Sequence, residues 1–435
     1  MPRSSVVVVG GGFAGFFASS TLERLLPPEA ADLTLISATD HLCYSPLLPE
    51  VASGRLDPRR IAVPLHTRLR RTRIVQARVE DVDFDQRTLE VVADHGPIGP
   101  VSWDRLALTT GSITRTLPTP GVDTYALGLK TLVEAQYLHD HVLRQLELAD
   151  STPDPIERRA RLTFVVVGAG YTGTETAAQL QRMTMTQLDR FPRLRPDDLR
   201  WLLVDLAPAI LPELGTRLGR AAMRVIRERG METRLGTTVT AIDHHSVTLS
   251  DGDTLAACTV VWTVGVTPPP LIRQLALPVH RGRLVVDEQL QLRDGVWAAG
   301  DSAAARDPFS QTDADYPPTA QHAQRQGVII GRNIAASLGY GRPRRYRHGD
   351  LGLVADLGGV SAVARPLGLP LTGPVAKVVT KGYHLYALPS GANRIRVAND
   401  WVTNLVSRPI AAQLGLVDRQ AAQLVREQGG SGAVR

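Results

Sequence analysis

Two stretches of this chain place three glycines at the spacing of a phosphate-binding turn: Gly10, Gly12 and Gly15, then Gly168, Gly170 and Gly173. In a G-x-G-x-x-G turn the first glycine permits the tight bend, and the second lets the backbone approach a pyrophosphate. The third lets the next helix pack on the preceding strand with its N-terminal amides facing the phosphates. Each turn follows a β-branched run and opens an apolar helical pattern, the context the motif requires. Phe13 and Ala14 lie inside the first turn and are candidate contacts with it. Two dinucleotides are implied.

The nucleotide held by each turn depends on the end of the second strand, where a carboxylate binds a ribose hydroxyl. After the later turn that position is Asp205, in Val204-Asp205-Leu206-Ala207. A carboxylate accepts from a free 2′-hydroxyl and repels a 2′-phosphate, and no arginine follows, so NADH is expected over NADPH. The matching position after the first turn is Ser37, a neutral hydroxyl that can still bond a ribose. Three more strand ends run into glycine: Thr109-Thr110-Gly111, Thr263-Val264-Gly265 and Ala299-Gly300-Asp301. Glycine there lets backbone approach a cofactor, and Asp301 offers acceptors to polyol hydroxyls.

The elements that must position these residues occur twice. Val6–Val9 leads into the first turn, a helical pattern from Phe13 to Leu26 ends at Pro27-Pro28, and Leu33–Ile36 reads as the next strand. The arrangement returns as Phe164–Val167, a helix through about Arg182, and Trp201–Val204. Copies this far apart are not a short-period solenoid; they read as two nucleotide-binding domains of an α/β fold.

Composition sets the outer limits. With 43% hydrophobic and 21% charged residues over 435 positions, the chain reads as an ordinary globular protein of several domains. No run approaches the roughly 18 apolar residues of a spanning helix, and the apolar start is too short for a signal peptide. A cytoplasmic location is expected, with any membrane contact peripheral, on the inner face of the cell membrane. Cys43 and Cys258 form no C-x-x-C and read as free thiols. The net charge is +6, and Lys130, Lys377 and Lys381 are the only lysines. Arginine runs at 68–73 and 342–347 read as solvated faces, and no nucleic-acid reader module is present. His139 and His141, two apart on a helix, face different ways and cannot share a metal; no metal is expected.

The two fingerprints, the Thr-Gly turns and Ala-Gly-Asp301, in this order, resemble the two-dinucleotide flavoprotein oxidoreductases. Within them the chain most resembles the type II NADH dehydrogenases, single-subunit NADH:quinone oxidoreductases, from Val6 to about Trp401. The resemblance runs through Tyr44-Ser-Pro46-Leu-Leu48, Leu129-Lys130-Thr131, Gly170-Tyr-Thr-Gly173-Thr-Glu175, Ala320-Gln321-His-Ala323, His384-Leu-Tyr-Ala-Leu and Asn399-Asp400-Trp401. It implies two Rossmann-like domains: an FAD domain from 1–125 and 275–335, an inserted NADH domain at 126–274, and a C-terminal region at 336–435. FAD contacts are expected from Gly10, Gly12, Phe13, Ala14, Gly15, Ser37, Pro46, Val79, Gly111, Gly300, Asp301 and Gln321. NADH contacts are expected from Gly168, Gly170, Gly173, Glu175, Asp205 and Gly265.

By the same resemblance, Glu175 tunes charge or protons where nicotinamide and flavin meet, and Gln321 belongs to a quinone-site pattern, Ala-Gln-x-Ala-x-Gln. Arg325 stands where the second glutamine would be. Upstream of His384, where the family carries tryptophans in an apolar membrane-facing stretch, this chain has Lys377 and Lys381. Both departures fall on the acceptor side. Ile410, Leu414, Val417, Ala421 and Leu424 follow a helical period broken by Gly415. That predicts an amphipathic helix lying on lipid, on its own domain or against a second subunit of a homodimer. The expected activity is hydride transfer from NADH to FAD, then two electrons to a quinone. The alternatives are a soluble NADH oxidoreductase with another small acceptor and a non-turnover NADH sensor.

Overall fold

The computed structural model describes residues 3–310, 312, 314–409 and 411–422. Its first sheet has six strands in the order Gln291–Arg293, Val296–Ala298, Arg105–Leu108, Ser4–Val9, Ala31–Ser37, Arg73–Gln76. All neighbours are parallel except the first pair. Ser4–Val9 occupies the centre, with Val6 beside Leu33 on one side and Arg105 on the other. A central parallel strand is covered on both faces, which is why four consecutive valines are buried there.

The second sheet repeats the plan with four parallel strands: Glu232–Leu235, Arg200–Asp205, Thr163–Val167, Thr259–Trp262. Phe164 stacks on Trp201 at 4.5 Å across its two central strands. The first sheet thus draws on chain from both sides of the second, and Ile113–Thr114 pairs with Val266–Thr267 where the chain passes between them.

Seven helices position the site. Helix α1 (Phe13–Leu25) and, in the second unit, α4 (Tyr171–Gln187) open directly after their glycine turns. Helix α2 (Leu48–Ala52) is short. Helix α3 (Leu132–Ser151) begins with a capping box, Thr131 and Glu134 each bonding the other's backbone. Helix α5 (Ala320–Ser337) returns to lie along α1, close enough that a Cβ at Gly331 would come 2.8 Å from the Ala18 carbonyl oxygen. Helices α6 (Gly373–Ala387) and α7 (Gly391–Val406) follow the hairpin Val354–Asp356 and Ala362–Ala364.

The amphipathic helix expected near the C-terminus does not extend through the described residues. Residues 411–418 have no helical structure, and helical backbone begins at 419; Ile410 and Leu424 lie outside the described residues. The segment instead crosses the molecule. Gly415 N donates to Asp140 of α3 at 2.8 Å, and Arg419 donates to the Thr124 and Tyr125 carbonyls. These backbone contacts offset the helical bonds that Gly415 discourages.

Candidate active site

Both glycine turns open on one cavity of about 1660 Å³. Its walls include Gly10, Gly12, Phe13, Ala14, Ser37, Pro46, Gly111, Gly300, Asp301 and Gln321 from the first unit and its return, and Gly168, Gly170, Glu175, Asp205 and Gly265 from the second. Gly15 and Gly173 lie behind the wall. A Cβ on Gly15 would fall inside the Gly10 carbonyl, and one on Gly173 inside the Gly168 carbonyl. Threonine hydroxyls brace each turn from the neighbouring strand end: Thr109 donates to Val9 O at 2.8 Å, and Thr263 to Val167 O at 2.7 Å. The Thr-Gly segments are therefore part of each turn's construction.

The middle glycines differ in kind. Gly12 and Gly170 are extended, with φ of −71° and −73°, and a Cβ at either would meet nothing within 4 Å. Nothing in the protein requires glycine there; the space in front of them suits a pyrophosphate approaching the amides of α1 and α4. This is the fit expected of two dinucleotides.

Around the first turn, Ser37 Oγ donates to Thr39 O at 2.7 Å, and its hydroxyl is engaged with that backbone. Asp301 accepts from Ser112 Oγ at 2.5 Å, and Lys130 Nζ donates to the same hydroxyl at 2.8 Å. Lys130 and Ser112 line the cavity, and sequence reasoning assigned neither a role. The signal available was that Lys130 is one of three lysines and that Ser112 adjoins Gly111. Val79 does not reach the wall, whereas Gln76, at the end of the neighbouring strand, does. Cys43 also lines the cavity, but burial pushes its thiol up to about 12 against the pull of Lys130, so it stays protonated.

Asp205 accepts from Ala169 N at 2.5 Å and Ala207 N at 2.7 Å, so its carboxylate also fixes the second turn. Replacing it with alanine is expected to lower the preference for NADH over NADPH by about tenfold or more, since repulsion of a 2′-phosphate goes. It should also raise KM for NADH by loosening the turn. An unchanged ratio of kcat/KM for the two nucleotides would place the ribose elsewhere.

On the acceptor side the structure redistributes the expected roles. The Gln321 side chain is engaged at both ends: Nε2 donates to Asp350, and Oε1 accepts from Leu351 N at 3.1 Å. It ties the 348–351 segment to α5. Arg325 is half-buried, is not on the cavity wall, and donates to Gln321 O at 3.1 Å. Its neighbour Gln326, which sequence reasoning passed over, accepts from Gly300 N at 2.7 Å and holds the Gly-Asp301 turn. Tyr44 is buried with its hydroxyl 3.2 Å from His384 Nδ1. His384, with Tyr383, lines the cavity, and burial pushes its imidazole down to about 4.

Glu175 sits in the first turns of α4, buried, and accepts from Asp356 N at 2.6 Å. Burial raises its carboxyl to about 8; the bond from Asp356 N opposes this and the Asp356 charge adds to it. Asp356 is also buried, which pushes it up, but Lys381 and Lys377 hold it at about 2. Lys377 pairs with Asp356, and Lys381 with Glu50 of α2 and with Asp356 at 3.3 Å. Trp401 Nε1 donates to the other Glu50 oxygen at 2.7 Å, and Lys381 lies 4.0 Å over the Trp401 ring. One charge cluster thus joins α2, α4, the hairpin, α6 and α7.

The two lysines therefore do not replace an apolar surface with a charged one. Helix α6 turns Lys377, Thr380, Lys381 and His384 inward and leaves Val375, Val378 and Tyr386 exposed. Helix α7 likewise exposes Ile395, Val402, Leu405 and Val406, the last at 87%. No helix among the described residues is long and apolar enough to cross a membrane.

Residues 4–327 match the pyridine nucleotide-disulphide oxidoreductase family. The type II NADH:quinone oxidoreductase Ndh of Mycobacterium tuberculosis is 30% identical, over 99% of this chain and 96% of that protein. The demethylphylloquinone reductase NdbB of Synechocystis is 31% identical, over 92% of this chain and 96% of that protein. Among solved structures, NDH2 of Plasmodium falciparum in complex with NADH superposes with a TM-score of 0.86 at 18% identity, covering 94% of this chain and all of that one (100%). That last likeness speaks to the fold.

Proposed function

Because this chain belongs to the pyridine nucleotide-disulphide oxidoreductase family, in its type II NADH:quinone oxidoreductase branch, we propose that it oxidises NADH through FAD and reduces a quinone. The observation that carries this reading is the pair of open glycine positions, Gly12 and Gly170, facing one cavity with Glu175 in its wall. Bound FAD supplies the hydride acceptor and two-electron carrier that no side chain here provides. The first turn and Asp301 hold FAD; the second turn and Asp205 hold NADH.

Reducing a quinone to its quinol takes two electrons and two protons, whereas NADH delivers a hydride, so one proton comes from elsewhere. Glu175, protonated below about pH 8 and on the cavity wall, holds a proton at that place. Lys130 sets positive charge beside Ser112 and Asp301 where negative charge would develop. Gln321 lines the cavity while its amide ties the 348–351 segment to α5, and Tyr383 and His384 shape the same wall.

The acceptor side also favours a peripheral membrane location on α6 and α7. An exposed apolar face of this extent marks a lipid or partner contact. The same helix, α6, lines the cavity with its other face, so a lipid-soluble quinone would reach the site from the bilayer side.

The test is anaerobic reduction by NADH followed by mixing with quinones and with water-soluble acceptors. Heat denaturation should first release free FAD. Steady NADH consumption with quinone is expected; bleaching by NADH with no reoxidation by any acceptor would favour a sensor instead.

Glu175→Gln should lower quinone reduction at pH 7 by about tenfold or more, because an amide cannot release the proton. The wild-type rate should fall above about pH 8, and the variant should lose that limb. The folded pKa lies above the ordinary carboxyl value of 4.5, so stability from protonated Glu175 is complete below 4.5 and lost as pH rises through about 8. The variant should therefore match wild type at pH 5 and melt higher at pH 9. Parallel melting curves at both values would remove Glu175 as the titrating group.

A further inference from the structure

Resting on that membrane-surface reading, we propose that Arg217, Arg220, Arg224 and Arg227 form a stripe that docks on the anionic headgroups of a lipid surface. They lie on the helix Thr216–Glu228 at spacings of three, four and three, which sets them along one side of it. Leu218, Ala222 and Ile226 point the opposite way and are buried. All four arginines are exposed, and none has a hydrogen bond or ion pair among the described residues. Exposed arginines elsewhere are treated differently, since Arg59 pairs with Asp57 and Arg345 with Glu288. Like charges at these helical spacings repel, and a face that is merely wetted lowers that cost by mixing in acids. On this helix the repulsion is offset only by an anion from outside.

Two guanidinium ties fix where the helix lies. Just before its first turn, Arg365 donates to Glu213 O at 2.8 Å and to Leu214 O at 3.4 Å. Just after its last turn, Arg229 donates to Leu357 O, and to Gly358 O at 3.0 Å. The helix, about 20 Å long, is thus tied at one end beyond the hairpin strand Ala362–Ala364 and at the other end before it. Each tie stands two residues from a large exposed apolar side chain. Val360 follows Gly358 and is 70% exposed; Leu367 follows Arg365 and is 81% exposed. From Leu367 the chain runs through the exposed Leu369 into α6, with its exposed Val375 and Val378. The stripe is therefore flanked at both ends by apolar residues, and at one end these continue into the face that meets the membrane surface. Arginine stems pack on apolar material while their forks hold phosphate oxygens. Four basic side chains on an amphipathic helix are enough for an anionic leaflet to select.

The test is flotation of the FAD-loaded full chain with vesicles of phosphatidylcholine alone and of an equimolar mixture with phosphatidylglycerol. Wild type should bind the mixed vesicles at least about thirtyfold more tightly, a gain that shrinks at high salt. The fourfold variant R217Q, R220Q, R224Q, R227Q should keep no more than about a threefold preference. It should match wild type in binding to phosphatidylcholine, in melting temperature and in NADH oxidation with a water-soluble acceptor. A charge-matched control, R24Q, R68Q, R70Q, R73Q, changes exposed arginines of the first unit and should keep most of the gain. Leu367→Asp, which tests the apolar flank, should weaken binding to both vesicles. Equal wild-type affinity for the two vesicles, or a fourfold variant that keeps the preference, overturns the stripe and leaves the membrane reading standing. So does a control that loses as much as the fourfold variant, or a fourfold variant weakened equally on both vesicles. No wild-type binding to either vesicle overturns the stripe and the membrane reading together.

Discussion

Gly170→Val is expected to give a folded, flavin-bearing protein whose KM for NADH is raised by about a hundredfold or more. Gly170 precedes α4 in an extended conformation, φ −73° and ψ −166°, that valine adopts readily, and a Cβ there meets no protein atom within 4 Å. The fold should lose no more than about 1 kcal/mol, the difference between cap residues. What the isopropyl group occupies is the space through which a pyrophosphate reaches the amides of α4, and excluding that contact removes about 3 kcal/mol of binding, which is a hundredfold. The symmetrical change Gly12→Val should spare the nucleotide site and lose the flavin, since Gly12 has the same openness at φ −71°. Gly173→Val should do neither cleanly: its Cβ would fall inside the Gly168 carbonyl, and the domain should fail to fold. Flavin content, KM for NADH and melting temperature, measured on all three, separate these outcomes. A Gly170→Val enzyme with a KM within a few-fold of wild type would mean that the second turn does not bind the dinucleotide.

How far the sequence carried depends on how local each feature is. The two strand-turn-helix units were legible because glycine spacing, β-branched runs and helical period all lie within about thirty residues. Asp205 was legible for the same reason, as the strand-end residue at a fixed offset from the second turn, and Asp301 from its own local pattern of a strand running into Gly-Asp. The threonine braces were visible as Thr-Gly segments, but not as clamps, because Thr109 reaches Val9 from 100 positions away. Gln326 on Gly300 and both ends of Gln321 were hidden although they span only 26 to 30 positions, because a side-chain bond to a turn or loop leaves no spacing pattern in the sequence.

Helix α6 misleads for another reason. Amphipathic periodicity says which residues share a face, not which face is buried, and here the charged face turns inward because Glu50 and Asp356 await it. Those partners lie 331 and 21 positions from the lysines they meet. Near the C-terminus the period was real, but Gly415 and the contacts to Asp140, Thr124 and Tyr125 favour an extended crossing over a helix.

The charge cluster on α6 is where a single substitution should do most to the docking of α6 and α7. Lys381→Met keeps the aliphatic length of the side chain and deletes its charge. Glu50, whose side chain is 3% exposed, then loses its ion pair and keeps the Trp401 Nε1 donor, and Asp356 keeps Lys377 and the Gly358 N donor. Breaking a buried pair from one side costs about 3 to 5 kcal/mol, chiefly through the charge left behind. The loss should fall on the transition that releases α6 and α7, because Lys381, Glu50 and Trp401 join these helices to α2; pulse proteolysis in urea would follow it. Adding Glu50→Gln should recover about half or more of the loss, since the stranded charge is gone and the amide oxygen still accepts from Trp401. A merely space-filling lysine predicts the opposite, with Lys381→Met near neutral and Glu50→Gln adding to any loss. The site should register the change as well. Glu175 accepts from Asp356 N, and the Asp356 and Glu50 charges that raise its carboxyl lose their Lys381 partner in the variant, so its protonated form is favoured further. The alkaline limb of the quinone-reduction profile should therefore move upward from about 8 in Lys381→Met. A limb that stays in place while stability falls would make the cluster a clamp between domains and leave Glu175 tuned by burial alone.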